Sequence, residues 1–523
     1  MATPSGGGRS AALVAAGIFT SRVAGLIRQR VFAHYLGLSD TNDVVTQSFR
    51  IPNLLQNLFG EGVLSASFIP VYARLVGEGR EEEAGRVAGA VAGLLALAVA
   101  VVVVIGVAMA PLLVTLLAPG FTGEKRLLTI TLVRILYPAA GILVLSAWCL
   151  GVLNSHRRFL LSYMAPVVWN AAIIVAVLAF RHPDTRHVAM TIAWGAVAGS
   201  VLQLAVQLPT VLTLARGLKL SVSTRIAGVR TVVTNFVPAL MGRGVTQVSA
   251  YMDGLIASLL GTGAVAAIGN AQLLYTLPVS LFGMSISAAE LPEMATVQGS
   301  EAERSAALRR RLTVGLRRIA FFIVPTAVGF IVVGQAVAAL IYQTGRFTAA
   351  DSRYVWAILA GSALGLLAAT LSRLSSSAFY ALHDTRTPFR FAVLRVALAT
   401  ALGFTAALAG PRLVGLERQW GAVGLTLASS VAAWVEFALL RRRLAARIGA
   451  TDLPAGFLAR LLAAAALAAA AGWAAMRTTA ALGATASAAL VLALFAAVYG
   501  GATLLLGVDE ARAAAARVRN RGA

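Results

Sequence analysis

Guanidinium groups set in apolar sequence are the features of this chain best able to do chemistry. Arg22 and Arg28 stand in a run that begins near residue 11, with Gly25 between them and Arg30 alongside. An arginine at mid-membrane costs about 2.5 to 3.5 kcal/mol on insertion scales, so such a side chain normally faces protein or water. A second run adds Asp43, Gln47, Arg50, Asn57, Glu61 and Ser65. At about 100° per residue these fall within roughly 40° of one line, which predicts a wet stripe along the second helix. Arg22, Arg28 and Arg50 would then line a cavity that holds an anion, because the planar guanidinium fork pairs with phosphate oxygens and never deprotonates. The competing reading of Arg28 and Arg30 is that they snorkel to a membrane surface. Asp43 and Glu61 read as gating partners: a bound anion that replaces an acid beside an arginine supplies the differential affinity a switch requires. Asp253, Glu290 and Glu436, embedded in later runs, read as structural partners of arginines. Pro52 and Pro70 predict a bend in the second helix.

Other chemistries find no residues to carry them. The five histidines, His34, His156, His182, His187 and His383, form no His-x-x-x-His pattern and have no cysteine partner, so no metal site is expected. The single Cys149 excludes an internal disulfide and lies in an apolar run, where packing explains it. No Gly-x-x-x-x-Gly-Lys-Ser/Thr loop occurs, so transport would draw on a monovalent cation gradient (Na or H), the membrane potential or the substrate's own gradient. No cofactor is implied. The net charge of +23 is spread over short loops rather than gathered into a domain, which points to membrane topology and anionic lipid, not nucleic acid.

The elements that must position these groups are membrane helices. With 59% hydrophobic and 12% charged residues and a mean hydropathy of +0.81, the chain is an all-α polytopic membrane protein without room for a separate soluble domain. Apolar runs predict about fourteen spans: 11 to 33, 44 to 74, 88 to 117, 127 to 153, 160 to 180, 188 to 213, 232 to 260, 266 to 296, 319 to 342, 354 to 381, 391 to 409, 419 to 440, 455 to 476 and 480 to 506. The first run has no small-residue cleavage site and is expected to stay. Basic residues favour one side: Arg157 and Arg158, Arg216 and Lys219, Arg309 to Arg311, Arg441 to Arg443, and Arg512, Arg517, Arg519 and Arg521 of the tail. The opposite loops hold only scattered basics such as Lys125, Arg181 and Arg412. This predicts both termini in the cytoplasm.

A weak echo relates the halves. SASFIP from Ser65 pairs with SAAELP from Ser287, and LNSHRRF from Leu153 with LHDTRTP from Leu382, at offsets of 222 and 229 residues. The expected organisation is an N-terminal lobe over 1-215 with helices one to six and a C-terminal lobe over 216-450 with helices seven to twelve. A basic amphipathic connector is expected near 299-318, and 451-523 would hold helices thirteen and fourteen with the basic tail.

The stretch SRVAGLIRQR from Ser21, followed by NDVVTQSFRIPNLLQNLFGEGVLSASFIPVYARL from Asn42, resembles the opening of the MurJ/MviN family, the lipid II flippases of bacterial peptidoglycan synthesis. APGF at Ala118, LNSHRRF at Leu153, VLQLAVQLP at Val201, YQTGRFTAAD at Tyr342 and FYALHDTRTP at Phe379 resemble further landmarks in the same order, so the likeness spans nearly the whole chain. The resemblance implies the fold of the multidrug/oligosaccharidyl-lipid/polysaccharide exporter superfamily: two six-helix lobes in a V plus two C-terminal helices. It implies a transporter, not an enzyme, that turns undecaprenyl-diphosphate disaccharide-pentapeptide from the inner to the outer leaflet of the cytoplasmic membrane by alternating access. It would act as a monomer, with cell-wall synthesis proteins as its partners. Arg22, Arg28 and Asp43 match positions that matter in the family, Arg50 matches a basic position and Glu61 an acid. With Asn53 and Asn57 they form the expected substrate-contacting set. Asp384 and Thr400 resemble positions linked to monovalent cation binding.

The chain departs from the family pattern at Gln56 and Leu273, where arginines are common, and at Gln29, where an acid often follows the first-helix arginine. Arg243 is a candidate replacement. A drug or polysaccharide exporter of the same superfamily, a paralogue flipping another polyprenyl-linked glycan, a membrane transferase and a non-transporting scaffold are the alternatives that remain open at this point.

Overall fold

The computed structural model describes residues 5–296, 300–451 and 453–522; Arg243 and the tail arginines Arg517, Arg519 and Arg521 lie outside the described side chains. The described residues are helical wherever they are regular, with no strand among them. That outcome follows from hydrocarbon, which leaves a spanning backbone no partner but itself. Two compact units divide the chain, Met1–Val265 and Ala266–Ala523.

The first unit holds α1 (Ser5–Leu36), α2 (Asp40–Phe59), α3 (Glu61–Ser67), α4 (Ile69–Gly77), α5 (Glu81–Ala108), α6 (Ala110–Leu117), α7 (Gly123–Ser155), α8 (Phe159–Ala179), α9 (Thr185–Leu214) and α10 (Ala227–Ser258). Its centre is α7, packed by α2, α5 and α9. The most apolar window of α7 is 67% buried, against 33% for α5, so α5 is a peripheral helix and α7 an axial one. Val133, Tyr137, Val144 and Trp148 of α7 meet Phe68, Tyr72, Val87 and Val91 in one continuous core.

The second predicted span is three helices rather than one. Pro52 sits inside α2 without ending it, and the break falls at Gly60. A Cβ at Gly60 would stand 2.2 Å from the Gln56 carbonyl oxygen, so only glycine lets the chain turn there. A second break at Phe68 places Pro70 in the first turn of α4, where its missing N–H costs nothing. Gly60→Ala is expected to destabilise the protein by about 1 to 3 kcal/mol through this overlap. Thermal unfolding of the purified protein in detergent would show it as a lowered midpoint, and an unchanged midpoint would mean that the break is not held this tightly.

Along α5, Gly85, Gly89 and Gly93 form a stripe that receives the chain leaving α9. Cβ atoms at the three would meet the carbonyl oxygens of Arg216, Lys219 and Ser221 at 1.9, 2.3 and 2.3 Å. Residues 218–225 therefore run as an extended strap in a groove without side chains, and Arg216 adds an ion pair to Glu81 at 3.3 Å.

In the second unit, α11 (Ala264–Pro278) passes through a π-helical turn at Val279–Met284 into α12 (Ser285–Ala295). There follow α13 (Glu301–Val332), α14 (Gly334–Tyr342), α15 (Ala349–Ala363), α16 (Leu366–Ala381), α17 (Arg386–Leu408), α18 (Gly410–Leu413), α19 (Gly421–Ile448), α20 (Ala455–Thr478), α21 (Ala484–Leu505) and α22 (Asp509–Gly522). The basic stretch expected as a separate connector is instead the first turns of α13. Ser300 and Glu303 start that helix with a capping box, and it runs unbroken to Val332. The pair α20 and α21 packs on α13 and α14 through Phe321, Val324, Phe457 and Leu461, and the Tyr499 hydroxyl donates to the Phe321 carbonyl at 2.7 Å.

Ten helices among the described residues are long and apolar enough to cross a membrane, and the bent pair α15–α16 makes eleven. The other three spans expected from sequence coincide with α1, α2 and α10, which fall outside this apolar set. The polar residues of α2 keep it out of the apolar set. The sequence echo has a backbone counterpart. Among the described residues, the non-glycine positions with positive φ are Arg157 and His383 (59° and 58°), 226 positions apart. Each closes a helix in the same way, with Arg158 N–H on Leu153 C=O and Asp384 N–H on Phe379 C=O, both at 2.9 Å.

Candidate functional site

Arg28 is packed, not snorkelling. Its guanidinium carbon lies 4.8 Å from the ring centroid of Trp169 on α8 and 5.6 Å from that of Phe32, one turn along α1. Its Nε is buried without a hydrogen-bond partner, and no carboxylate pairs with the group among the described residues. Arg22 is exposed, six residues earlier, about 9 Å along and about 120° around the helix, so the two arginines do not share one face. Exposed on a membrane helix, Arg22 must meet water or a polar partner.

The predicted stripe on α2 divides in two. Its upper part is sealed in protein. Asp43 is fully buried, and its Oδ2 accepts from Lys125 Nζ at 2.8 Å and from the Gly263 N–H at 2.7 Å. Lys125 also reaches Asp40 at 2.6 Å, and Asp40 accepts from the Thr262 hydroxyl at 2.9 Å. The Lys125 ammonium stands 4.3 Å from the centroid of Phe121. Gln47, also buried, donates to the Leu117 carbonyl at 2.8 Å. Asp43 thus joins the start of α2 to the start of α7 and to the turn after α10. Its partner is Lys125, which sequence reading left among scattered loop basics.

The lower part opens gradually. Arg50 lies under α10, where Gly254 makes the room: a Cβ there would meet the guanidinium Nη1 at 2.2 Å. The Tyr251 hydroxyl donates to the Arg50 carbonyl at 3.0 Å, and Asp253 acts on the guanidinium electrostatically. Arg50 is thus enclosed against α10, with its Nη1 buried and without a hydrogen-bond partner. Asn57 is half-buried, while Asn53, Glu61 and Ser65 are exposed. Two of the embedded acids pair with arginines as expected, Glu290 with Arg318 at 3.3 Å and Glu436 with Arg395 at 3.2 Å, while Asp253 acts on Arg50 electrostatically.

The second unit carries a guanidinium that the sequence reading passed over. Arg373 on α16 acts electrostatically, together with Arg395, on Tyr275 and Glu436, yet its own guanidinium has no ion pair among the described residues. Leu273, the uncharged family position, lies two residues from Tyr275 on α11. The pair Asp384 and Thr400 is not brought together. Asp384 accepts from the Thr387 N–H at 2.9 Å and hydroxyl at 2.7 Å and pairs with Arg447 at 2.7 Å. These contacts, the Thr387 backbone bond first, hold its carboxyl below the usual range. Thr400 lies roughly 20 Å further along α17, so one ion cannot touch both. Asp384→Ala is expected to weaken the start of α17 by about 0.5 to 2 kcal/mol, as loss of a side-chain cap does. Amide exchange at Thr387 would read that loss, and unchanged protection would remove the capping role.

Sequence spacing also missed one cluster. His182, Asp184 and His187 place their ligand atoms within 4.8 Å of one another on an exposed loop. Asp184 already caps α9, accepting from the Arg186 N–H at 3.0 Å and from His187 at 2.7 Å, contacts that lower its carboxyl's pKa. The positive end of α9, with Arg181 and Arg186 alongside, opposes a cation there.

The family profile of lipid II flippase MurJ matches residues 32–494. The probable lipid II flippase MurJ of Rhizobium tropici is 30% identical over 433 residues, 81% of this chain and 79% of that protein. The lipid II flippase MurJ of Burkholderia cenocepacia is 32% identical over 381 residues, 71% and 73% of the two chains. The chain belongs to the MurJ family. The solved structure of a lipid II flippase MurJ in an inward closed conformation shares its fold, with a TM-score of 0.75 at 22% identity over 95% of this chain and 99% of that one. A multidrug resistance MATE family transporter, inward-facing, has the same fold at a TM-score of 0.64 and 15% identity, covering 82% and 95%. Within the MurJ profile lie Asp43, Arg50, Asn53, Asn57 and Glu61; Arg22 and Arg28 precede its first matched residue.

Proposed function

We propose that this MurJ-family chain is a lipid II flippase: it turns the diphosphate-linked disaccharide-pentapeptide of peptidoglycan synthesis from the inner to the outer leaflet by alternating access. Arg28 is the observation that supports it most directly. A guanidinium held by aromatic rings inside an apolar helix, with no carboxylate partner among the described residues, is a prepared place for an anion. Arg22 supplies a second charge further along the same helix. Only the head group needs this polar path, because the polyprenyl tail is as apolar as the bilayer. Asn53, Asn57 and Glu61, at the open end of the stripe, suit the sugar hydroxyls. The basic loops favour both termini in the cytoplasm, which puts Arg157, Arg158 and Arg309 to Arg311 on the side where the substrate is made.

Net movement follows from the same charge. Carrying negative phosphates outward across an inside-negative membrane is downhill by about 2.3 kcal/mol per charge per 100 mV. Collapsing the potential in cells that depend on this protein is expected to lower outer-leaflet lipid II within minutes. Unchanged labelling would leave the substrate's own gradient as the drive.

The deciding experiment is leaflet accessibility of lipid II in flippase-depleted cells supplied with this chain. Restored surface labelling supports the assignment. Labelling no higher than in cells without the chain, with the protein present in the membrane, rejects it.

A further inference from the structure

A guanidinium beside an aromatic ring can lie edge-on or flat, and the two cases differ in what remains to bind an anion. Flat stacking covers the faces of the group and leaves its N–H edge turned outward. Trp169 is built to hold one orientation. Its indole N–H donates to the Ala196 carbonyl of α9 at 3.1 Å, which fixes the ring plane. Phe49 of α2 meets it edge-to-face, with centroids 6.2 Å apart and planes at 83°. Gly199 gives it space: a Cβ there would stand 3.0 Å from Trp169 Cδ1. Contacts from two neighbouring helices, α2 and α9, thus lock the ring.

We propose that Trp169 is a positioning residue: it holds the Arg28 guanidinium against its face so that the two-pronged N–H edge is presented to the substrate's diphosphate. This rests on the flippase reading and adds a residue to it. The gain is orientational. A free arginine side chain samples many rotamers and loses them on binding, whereas a stacked one has already given them up. The ring also raises selectivity for a diphosphate, which offers a fork held still more pairs of acceptor oxygens and more charge than a monophosphate does.

The test uses the full-length chain in detergent, titrated with farnesyl diphosphate and, separately, farnesyl monophosphate, by calorimetry. Wild type is expected to prefer the diphosphate. Trp169→Leu, which keeps apolar volume but has no π face, should weaken diphosphate binding roughly tenfold, in the range of a desolvated cation–π contact, and erase most of the preference. Trp169→Phe should recover most of both. In the Arg28→Lys background, Trp169→Leu should change affinity by less than about twofold, because no fork remains to be aimed. A merely structural Trp169 would lower thermal stability in both ring variants and leave the diphosphate preference of the folded protein intact, and that result would overturn the proposal. Equal affinity of Trp169→Leu and wild type for the diphosphate would do the same. If wild type bound neither probe while Arg28→Ala still supported lipid II flipping in cells, the anion-site reading itself would fall, and this inference with it.

Discussion

Replacing Arg28 with alanine is expected to bring outer-leaflet lipid II down to the level of depleted cells, while the purified protein melts at the same temperature as wild type or higher. The two halves of this result have different causes. Two charge-assisted hydrogen bonds to a diphosphate, at about 1.5 to 3 kcal/mol each, make the loss of substrate binding on the order of 10²-fold or more. Stability moves the other way because the guanidinium lies over the Trp169 and Phe32 rings with no counter-charge among the described residues, and its buried Nε has no partner. Removing an unmatched charge from an apolar setting relieves desolvation. Lysine should rescue poorly, since a point charge cannot reproduce a fork. A variant that flips normally would take the anion site out of the mechanism; one that loses folding and flipping together would make Arg28 a structural residue.

The opposite pattern is expected at Lys125. Lys125→Met leaves the fully buried Asp43 carboxylate without its ammonium, and breaking one half of a buried pair costs about 3 to 5 kcal/mol. Adding Asp43→Asn should return most of that loss, because the amide needs no counter-charge. A double-mutant cycle of thermal stability in detergent measures the coupling. Additive effects of the two substitutions would mean that the pair is not coupled in the folded protein.

The two sites also show what could be read from sequence and what could not. Hydrocarbon forces helices on any spanning segment, so most of the expected spans follow from apolar runs alone. The stripe on α2 was legible as a line of polar residues because periodicity survives in a list of letters. That its upper half is sealed was not, because a wheel assumes a straight helix in uniform surroundings. The break at Gly60 and the approach of α7 decide instead. Proline drew the eye to Pro52, yet the turn needed a residue without Cβ, and the preceding carbonyl shows why. Lys125 sits in a loop by sequence and reaches a buried acid only through the fold. Arg373 had a readable signal, a lone arginine within an apolar run. Trp169 had none: its task depends on a helix more than a hundred residues away. Asp384 and Thr400, which resemblance named together, are set apart by the rise of one helix.

The glycine stripe of α5 has a mechanical meaning. A polypeptide seated in a groove with no clearance cannot slide sideways, so the extended stretch behind α9 behaves as a tie rod rather than a slack cord. Any displacement of α10 must then drag α5 along or lift that stretch out whole, and a single methyl at position 89 would be enough to disengage it.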